Sequence, residues 1–448
     1  MGKKLLLLFW FSINILFGQE WIARYNGPGN SIDEARGIAV HNGSVYVTGY
    51  SYGEGTSSDY ATIKYDSNGQ ELWVQRYNGE ANGFDWVIKM AVDNYGNVYV
   101  TGWSEGEGTD YDYATIKYNS DGQVVWVRRY NGPGNYRDGA SAIAVDNHGN
   151  AYVTGGSYGN GTFDYATIKY DSNGQVVWIK RYNGEANGDD RASAIAVDNY
   201  GNVYVTGWSI GLGTAYDYLT IKYNSDGEEV WIRRYNGPGN FWDWVSAIVV
   251  DNYGNVYITG YSYGDGTFDY ATIKYDSNGQ ELWVQRYNGP TDGDDDAWAI
   301  AVDNYGSVYV TGESYGNGTF DYVTIKYDSN GQVVWIRRYN GEANGDDRAR
   351  AIAVDNYGNV YVTGVSEGQN TYDDYATIKY LSARIEESKK EKKIKSGDLI
   401  KDESLNLKIY NSLGKIITKN LKELKSGVYF LEIEINKKKE SRKIIIVK

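Results

Sequence analysis

The chain is 448 residues long, carries 44 Lys+Arg against 58 Asp+Glu for a net charge of −14, and contains no cysteine. That balance disfavours phosphate-backbone partners, and the missing cysteine excludes disulfides, thiolate metal sites and a cysteine nucleophile. The charge is also divided: residues 381–448 hold 18 basic against 10 acidic side chains, a net of +8, which leaves −22 for residues 1–380. Cations or neutral glycans suit the larger part better than nucleic acid.

In chain order, residues 1–18 read as a secretory signal. Lys3 and Lys4 form the basic flank, and Leu5 to Phe17 is an apolar run too short to span a bilayer. Cleavage after Gly18 would place Trp21 almost at the mature start. From there to residue 380 the sequence is a repeat of 52 or 53 residues, and no transmembrane span is expected. A Trp-x-x-Arg-Tyr-Asn-Gly segment recurs at Trp21, Trp73, Trp126, Trp178, Trp231, Trp283 and Trp335. An Asp-Tyr-x-Thr-Ile-Lys-Tyr segment recurs at Lys64, Lys117, Lys169, Lys222, Lys274, Lys326 and Lys379.

The composition, 45 Tyr and 55 Gly with 4 Pro, favours strands joined by tight turns. In the copy from Asp190 to Gly237, four runs alternate with turns such as Asp198-Asn-Tyr-Gly-Asn202. The first run has small residues (Ala192, Ala194, Ala196) and the later ones are aromatic. Four antiparallel strands tapering in this way make one blade of a propeller, so residues 19–380 are predicted to form a seven-bladed, all-β propeller.

The two repeat series are out of phase, because the array opens on the last segment of a unit and closes without it. The N-terminal strand is therefore expected to complete the last blade, with Glu20–Tyr25 pairing Asp374–Tyr380 and with Trp21, Arg24, Tyr25, Asp374 and Tyr380 as the closure residues. The blocks Val-Asp-Asn-Tyr-Gly-Asn-Val-Tyr-Val-Thr-Gly at residues 92–102 and 197–207, and at 250–260 with Ile258 for Val, resemble the SBBP (seven-bladed beta-propeller) repeat family. What that resemblance implies is a secreted or surface propeller, monomeric as drawn, of mostly unassigned function.

Residues 381–403 are lysine-rich and read as a charged linker. Residues 404–448 alternate apolar and polar positions between glycine turns and are expected to form a small β-sandwich-like domain. Its blocks Ile409-Tyr-Asn-Ser-Leu-Gly-Lys415, Gly427-Val-Tyr-Phe430 and Lys443-Ile-Ile-Ile-Val-Lys448 are similar to the type A C-terminal sorting domain of the type IX secretion system. The resemblance implies secretion machinery as a partner and a location outside the cell or on its surface. A Tyr-Pro-Asn-Pro opening usual for such domains has no counterpart, since no proline follows Pro290; the domain is expected to be truncated or diverged at its start.

Comparing the seven copies, the loops after the second and fourth strands vary most, and both sets open on one face, where a ligand is expected. Six tryptophans outside the repeat series, Trp86, Trp103, Trp208, Trp242, Trp244 and Trp298, fall in or beside those segments. They read either as packing between loops or as stacking platforms for sugar rings. An aspartate precedes the first strand of every copy: Asp33, Asp85, Asp138, Asp190, Asp243, Asp295 and Asp347. Repetition in all seven copies favours a structural task such as capping loop amides over collection of a calcium ion. The densest acidic run, Asp292, Asp294, Asp295 and Asp296, lacks the ligand alternation of a calcium loop. Asp59 and Arg76, with their repeats, read as stabilising pairs, and His41 and His148 as turn substitutions.

No Ser-His-Asp set, phosphate loop or metal-spaced histidine pair is present. The residues point to a non-enzymatic binding or adhesion module without an obligatory cofactor. A carboxylate-dependent carbohydrate-active enzyme and a ligand-free envelope component remain the alternatives.

Overall fold

The structure, a computed structural model, describes residues 21–368 and 373–381, together with the C-terminal strands 406–411, 416–417, 427–435 and 438–446. The expected signal, its cleavage site and the linker lie outside the described residues. The chain divides into two compact units, residues 1–356 with 361–378 and residues 357–360 with 379–448.

Residues 33–380, all but 357–360, 379 and 380 within the first unit, form a seven-bladed propeller. Its blades run Asp33–Tyr77, Asp85–Tyr130, Asp138–Tyr182, Asp190–Tyr235, Asp243–Tyr287, Asp295–Tyr339 and Asp347–Tyr380. Blade four shows the plan, with antiparallel strands a (Asp190–Val197), b (Val203–Ile210), c (Tyr216–Tyr223) and d (Glu229–Tyr235) hydrogen-bonded in that order. The a–b turn closes because the Asp198 carboxylate accepts the amides of Tyr200 and Asn202, both at 2.9 Å, while Gly201 takes φ +79°. His148 occupies the matching exposed turn of blade three, where its amide bonds Asp146.

Blades join through donors that each blade offers its successor. Buried tyrosines reach the next blade's strand c carbonyl, as Tyr165 does to Leu219 O at 3.1 Å and Tyr218 to Ala271 O at 3.4 Å. Lys169 Nζ and Trp178 Nε1 both donate to Ser225 O at the c–d turn, at 2.9 and 3.3 Å. Between the blades lies a dry core such as Tyr152, Tyr165, Trp178, Val203, Val205 and Ile221. Within each of the first six blades a partly buried ion pair ties strand d to strand c. Arg76–Asp59, Arg129–Asp112, Arg181–Asp164, Arg234–Asp217, Arg286–Asp269 and Arg338–Asp321 lie at 2.7–2.9 Å, so the repeated Asp and Arg residues do pair.

The seventh blade has three strands, Asp347–Val354, Val360–Glu367 and Asp373–Tyr380. Of Glu20–Tyr25, expected there as the fourth, residues 21–25 enter no ladder, and the stretch 21–27 takes the place of a strand d against blade one. Trp21 Nε1 donates to Ser67 O at 3.2 Å, as Trp73 donates to Ser120 O, and Arg76 reaches Tyr25 Oη at 3.1 Å, as Arg129 reaches Tyr77. Alternate residues of 21–27 face inward, while Ile22 and Arg24 are exposed. The reason is one of anchorage: the indole of Trp21 and the hydroxyl of Tyr25 are both held by blade one. Glu20 lies outside the described residues. On blade seven, Tyr375 is 94% exposed, whereas its six counterparts are at most 1% exposed.

In the second unit the described strands, Asn406–Asn411, Ile416–Ile417, Gly427–Ile435 and Lys438–Ile446, form one antiparallel sheet with the Ile416–Ile417 strand at one edge and the Lys438–Ile446 strand at the other. A second sandwich layer is not among the described residues. No helix among the described residues is long and apolar enough to cross a membrane.

Candidate functional site

The mouth of the propeller is built where strands a and b of each blade run past the interblade loops. One cross-strand pair there changes from blade to blade on an otherwise repetitive frame: Glu34/Tyr50, Trp86/Trp103, Gly139/Gly156, Arg191/Trp208, Trp244/Tyr261 and Asp296/Glu313. The residue after the next on strand a, which sits in a β-bulge, varies as well: Arg36, Ile88, Ser141, Ser193, Ser246, Trp298 and Arg350. A bulge re-aims its residue, so variation is concentrated on strand ends as much as on loops.

Five of the six extra tryptophans therefore lie on strands, and only Trp242 sits in a loop. They fall into separate packed groups. Trp86 stacks on Tyr50 at 5.0 Å and meets Trp103 at 4.8 Å, and Trp103 meets Tyr111 edge-on at 4.5 Å. Trp208, Tyr216 and Trp244 form a second group, joined by Trp242 through Tyr216 at 6.4 Å. Trp298 packs on Tyr261 at 5.8 Å, with the Arg350 guanidinium 4.6 Å from its ring centre. Most of this indole surface is spent on packing between neighbours, and Trp242 is 42% exposed.

The aspartates before strand a each accept a backbone amide from the interblade loop, from Gly27→Asp33 at 3.0 Å to Gly289→Asp295 at 2.5 Å, in all seven blades. Burial raises the carboxyl pKa of Asp85, Asp243 and Asp295 to about 6, against the pull of the loop amide and of the serine on strand b. The acidic run of blade six is dispersed. Asp292 accepts Asn288 Nδ2 at 2.6 Å, Asp294 accepts the Phe268 amide at 3.1 Å, and Asp295 caps Gly289. Asp296 lies half-buried opposite Glu313, where desolvation and that carboxylate raise it to about 7. Among the described residues, no three of His, Asp or Glu are gathered as metal ligands.

A concave feature of the mouth lies at blade three. Gly139 and Gly156 face each other across strands a and b, and the space left by both side chains is a cavity of about 330 Å³. Ile88, Trp103 and Tyr111 wall it from blade two, Phe163 from blade three and Arg191 from blade four, with Arg137 and Ser141 at its edge. Neither glycine has a positive φ. A Cβ at Gly139 would meet nothing closer than Trp103 Cδ1 at 3.8 Å, and one at Gly156 would be 3.1 Å from the flexible Arg191 side chain. The backbone does not require glycine at position 139, so the hollow there is a property of the side chains chosen.

Arg191 lies with its guanidinium 3.6 Å from the Phe163 ring centre and 5.7 Å from that of Trp208. Its buried Nε has no hydrogen-bond partner among the described residues, and burial lowers its pKa. Arg137 is more exposed and lies 3.6 Å from Asp110. Sequence comparison singled out the tryptophans and missed this pair of glycines. The detectable signal was two small residues falling in the same register as Trp86 and Trp103.

Residues 72–108, 177–213 and 334–370 match the model of the beta-propeller repeat SBBP, and residues 388–447 match that of a secretion system C-terminal sorting domain. No curated protein matches the chain. Among solved structures, Sqt1 from Chaetomium thermophilum bound to the N-terminus of ribosomal protein L10 is 12% identical with a TM-score of 0.48, covering 74% of this chain and 82% of that one. The polysaccharide lyase Uly1 is 11% identical with a TM-score of 0.47, covering 83% and 94%. The β-propeller domain of the trilobed protease from Pyrococcus furiosus is 10% identical with a TM-score of 0.44, covering 78% and 98%. At such distances these likenesses carry nothing about ligand or activity.

Proposed function

We propose that this chain, an SBBP-repeat propeller sent to the cell surface or extracellular space by its C-terminal sorting domain, is a non-enzymatic binding module whose ligand enters the mouth at blade three. One observation carries the reading: the Gly139/Gly156 pair leaves a cavity of about 330 Å³ walled by Trp103, Tyr111 and Phe163. A concave aromatic wall with a few polar groups at its edge suits a sugar ring, whose C–H face packs on an aromatic plane while its hydroxyls reach the rim. The secretion machinery is the second partner, through the tail.

Glycan-array binding by the full chain tests this reading. Gly139→Trp installs the residue that blade two carries at that register and fills the hollow. Binding should be lost in this variant while its melting temperature stays close to that of the parent. A Gly139→Trp protein that binds as before would remove the cavity from the proposal. The enzymatic alternative has one observation in its favour, the half-buried Asp296 opposite Glu313, whose carboxyl pKa is raised to about 7, a condition suited to a general acid. Turnover of a polysaccharide, abolished by Asp296→Asn, would favour it.

A further inference from the structure

The blade three cavity has a filled counterpart within the same molecule. At the boundary of blades six and seven, Arg348 stacks over Phe320 at 4.5 Å, as Arg191 stacks over Phe163 at 3.6 Å. In both places the aspartate preceding strand a accepts the amide of that phenylalanine, Asp346 from Phe320 at 3.1 Å and Asp189 from Phe163 at 3.0 Å. The two frames are thus the same down to a backbone hydrogen bond.

They differ in what meets the arginine. Arg348 Nη1 lies 3.3 Å from Glu313 Oε1 and Nη2 lies 2.8 Å from Asp346, while Arg350 approaches the other Glu313 oxygen at 3.5 Å. The Glu313 side chain is 3% exposed, so its carboxylate is a buried counter-ion. At blade three the residue in the register of Glu313 is Gly156, and the residue in the register of Asp296 is Gly139. Trp298, which fills the six–seven site, is matched by Ser141. Arg191 makes no ion pair or hydrogen bond among the described residues, and the hollow opens beside it.

We propose that the blade three cavity binds a sugar unit bearing an anionic group, with the carboxylate or sulfate seated against Arg191 where Glu313 is seated against Arg348. The inference rests on the binding reading above and adds the chemical class of the ligand. The aromatic wall of Trp103 and Tyr111 holds the ring and Arg191 reads its charge, with Arg137 at the rim as a second cation. A planar guanidinium already braced on an aromatic face presents its remaining N–H groups without further loss of side-chain freedom. The net charge of −22 on residues 1–380 repels such a ligand at long range. Selectivity must then be local, and affinity should change only modestly with added salt, which screens that repulsion and the contact with Arg191 alike.

The test is calorimetric titration of the full chain with four probes: oligogalacturonate, its carboxyl-reduced neutral form, a sulfated galactan oligosaccharide and its desulfated form. At least one anionic probe should bind ten-fold or more tightly than its neutral partner, and which one does so identifies the anionic group. That preference should vanish in Arg191→Gln and persist in part in Arg191→Lys. Gly156→Glu, which supplies an internal carboxylate, should block the anionic probe. Equal binding of charged and neutral partners, or a preference unchanged by Arg191→Gln, would overturn the inference. Neutral sugars bound and then blocked by Gly139→Trp would leave the binding reading standing without it. Absence of binding by every sugar would remove both.

Discussion

If residues 21–27 do the work of a missing strand d, the energy of Trp21 can be predicted from its counterpart. Trp178 is 8% exposed, packs over the c–d turn of the next blade and donates to Ser225 O at 3.3 Å. Trp21 makes the same bond to Ser67 O at 3.2 Å and meets the Tyr65 ring at 6.0 Å, but it is only half-buried. Complete removal of a buried Trp side chain to Ala costs about 3–5 kcal/mol, so Trp178→Ala should fall in that range and Trp21→Ala at about half of it, ~1.5–2.5 kcal/mol. Both turn glycines take a positive φ, +80° at Gly69 and at Gly227, and a Cβ there would lie 2.4 Å and 2.9 Å from the respective indole, so the two sites are built alike. Urea denaturation followed by tryptophan fluorescence, with thermal melts as a second probe, measures the two variants side by side. A Trp21→Ala variant indistinguishable from the parent would refute the reasoning, because the segment would then be an appendage. A cost equal to that of Trp178→Ala would mean that the segment is packed in solution as fully as an internal strand d.

Other expectations follow from the same contacts. Arg181→Ala removes the partner of Asp164, which is 5% exposed, together with bonds to Ser157 and Tyr130. A buried carboxylate left alone costs about 3–5 kcal/mol, and a loss of unfolding free energy in urea below a third of that would count against the pair as a structural tie. Tyr165→Phe should cost about 1 kcal/mol through the lost bond to Leu219 O, whereas Tyr375→Phe, at 94% exposure, should cost almost nothing. Melting temperature should rise as pH falls from 8 towards 5. Asp85, Asp243 and Asp295 keep their protons to about pH 6 when folded but lose them near 3.9 when unfolded. Within that window the native state holds more protons, so raising the pH lowers stability. A flat profile from pH 5 to 8 would show that these carboxylates are better solvated than their burial suggests.

Much of this architecture was legible in the sequence because the repeat itself is a physical statement. Small residues such as Ala192 and Ala194 can belong only to a crowded inner strand, and the Asp198–Asn202 block encodes its own turn through one carboxylate and one glycine. The seven aspartates before strand a could be read as loop caps, since a structural task recurs wherever the loop does. The tryptophans stayed ambiguous in the sequence because an indole is equally a ligand platform and a filler. The register sets Trp86 against Tyr50 and Trp103 in packing, while Trp103 also walls the cavity. The cavity itself is a pair of residues that are absent, and two glycines mean nothing until the strand pairing sets them opposite each other. The opening phase offset was also read further than its contacts reach, for Trp21 and Tyr25 are anchored to blade one and not laddered to Asp373–Tyr380.

The joints between blades have a direction. Tyr165, Lys169 and Trp178 of blade three give hydrogens to blade four and Tyr218 and Lys222 of blade four give theirs to blade five, each across about one repeat of sequence. A chain synthesised from its N-terminus therefore leaves every new blade with unmet donors until its successor exists, and each blade matures only when the next is made. Assembly of this kind is local and stepwise, which favours fast folding despite the all-β composition. The exception is the last blade, whose successor is the first. Its exposed Tyr375 can find the Ala61 carbonyl, the acceptor of matching register, only across nearly the whole array. With Tyr375 exposed, that one joint of high contact order stays unmade, and refolding should show no separate late phase once the sheet signal has grown.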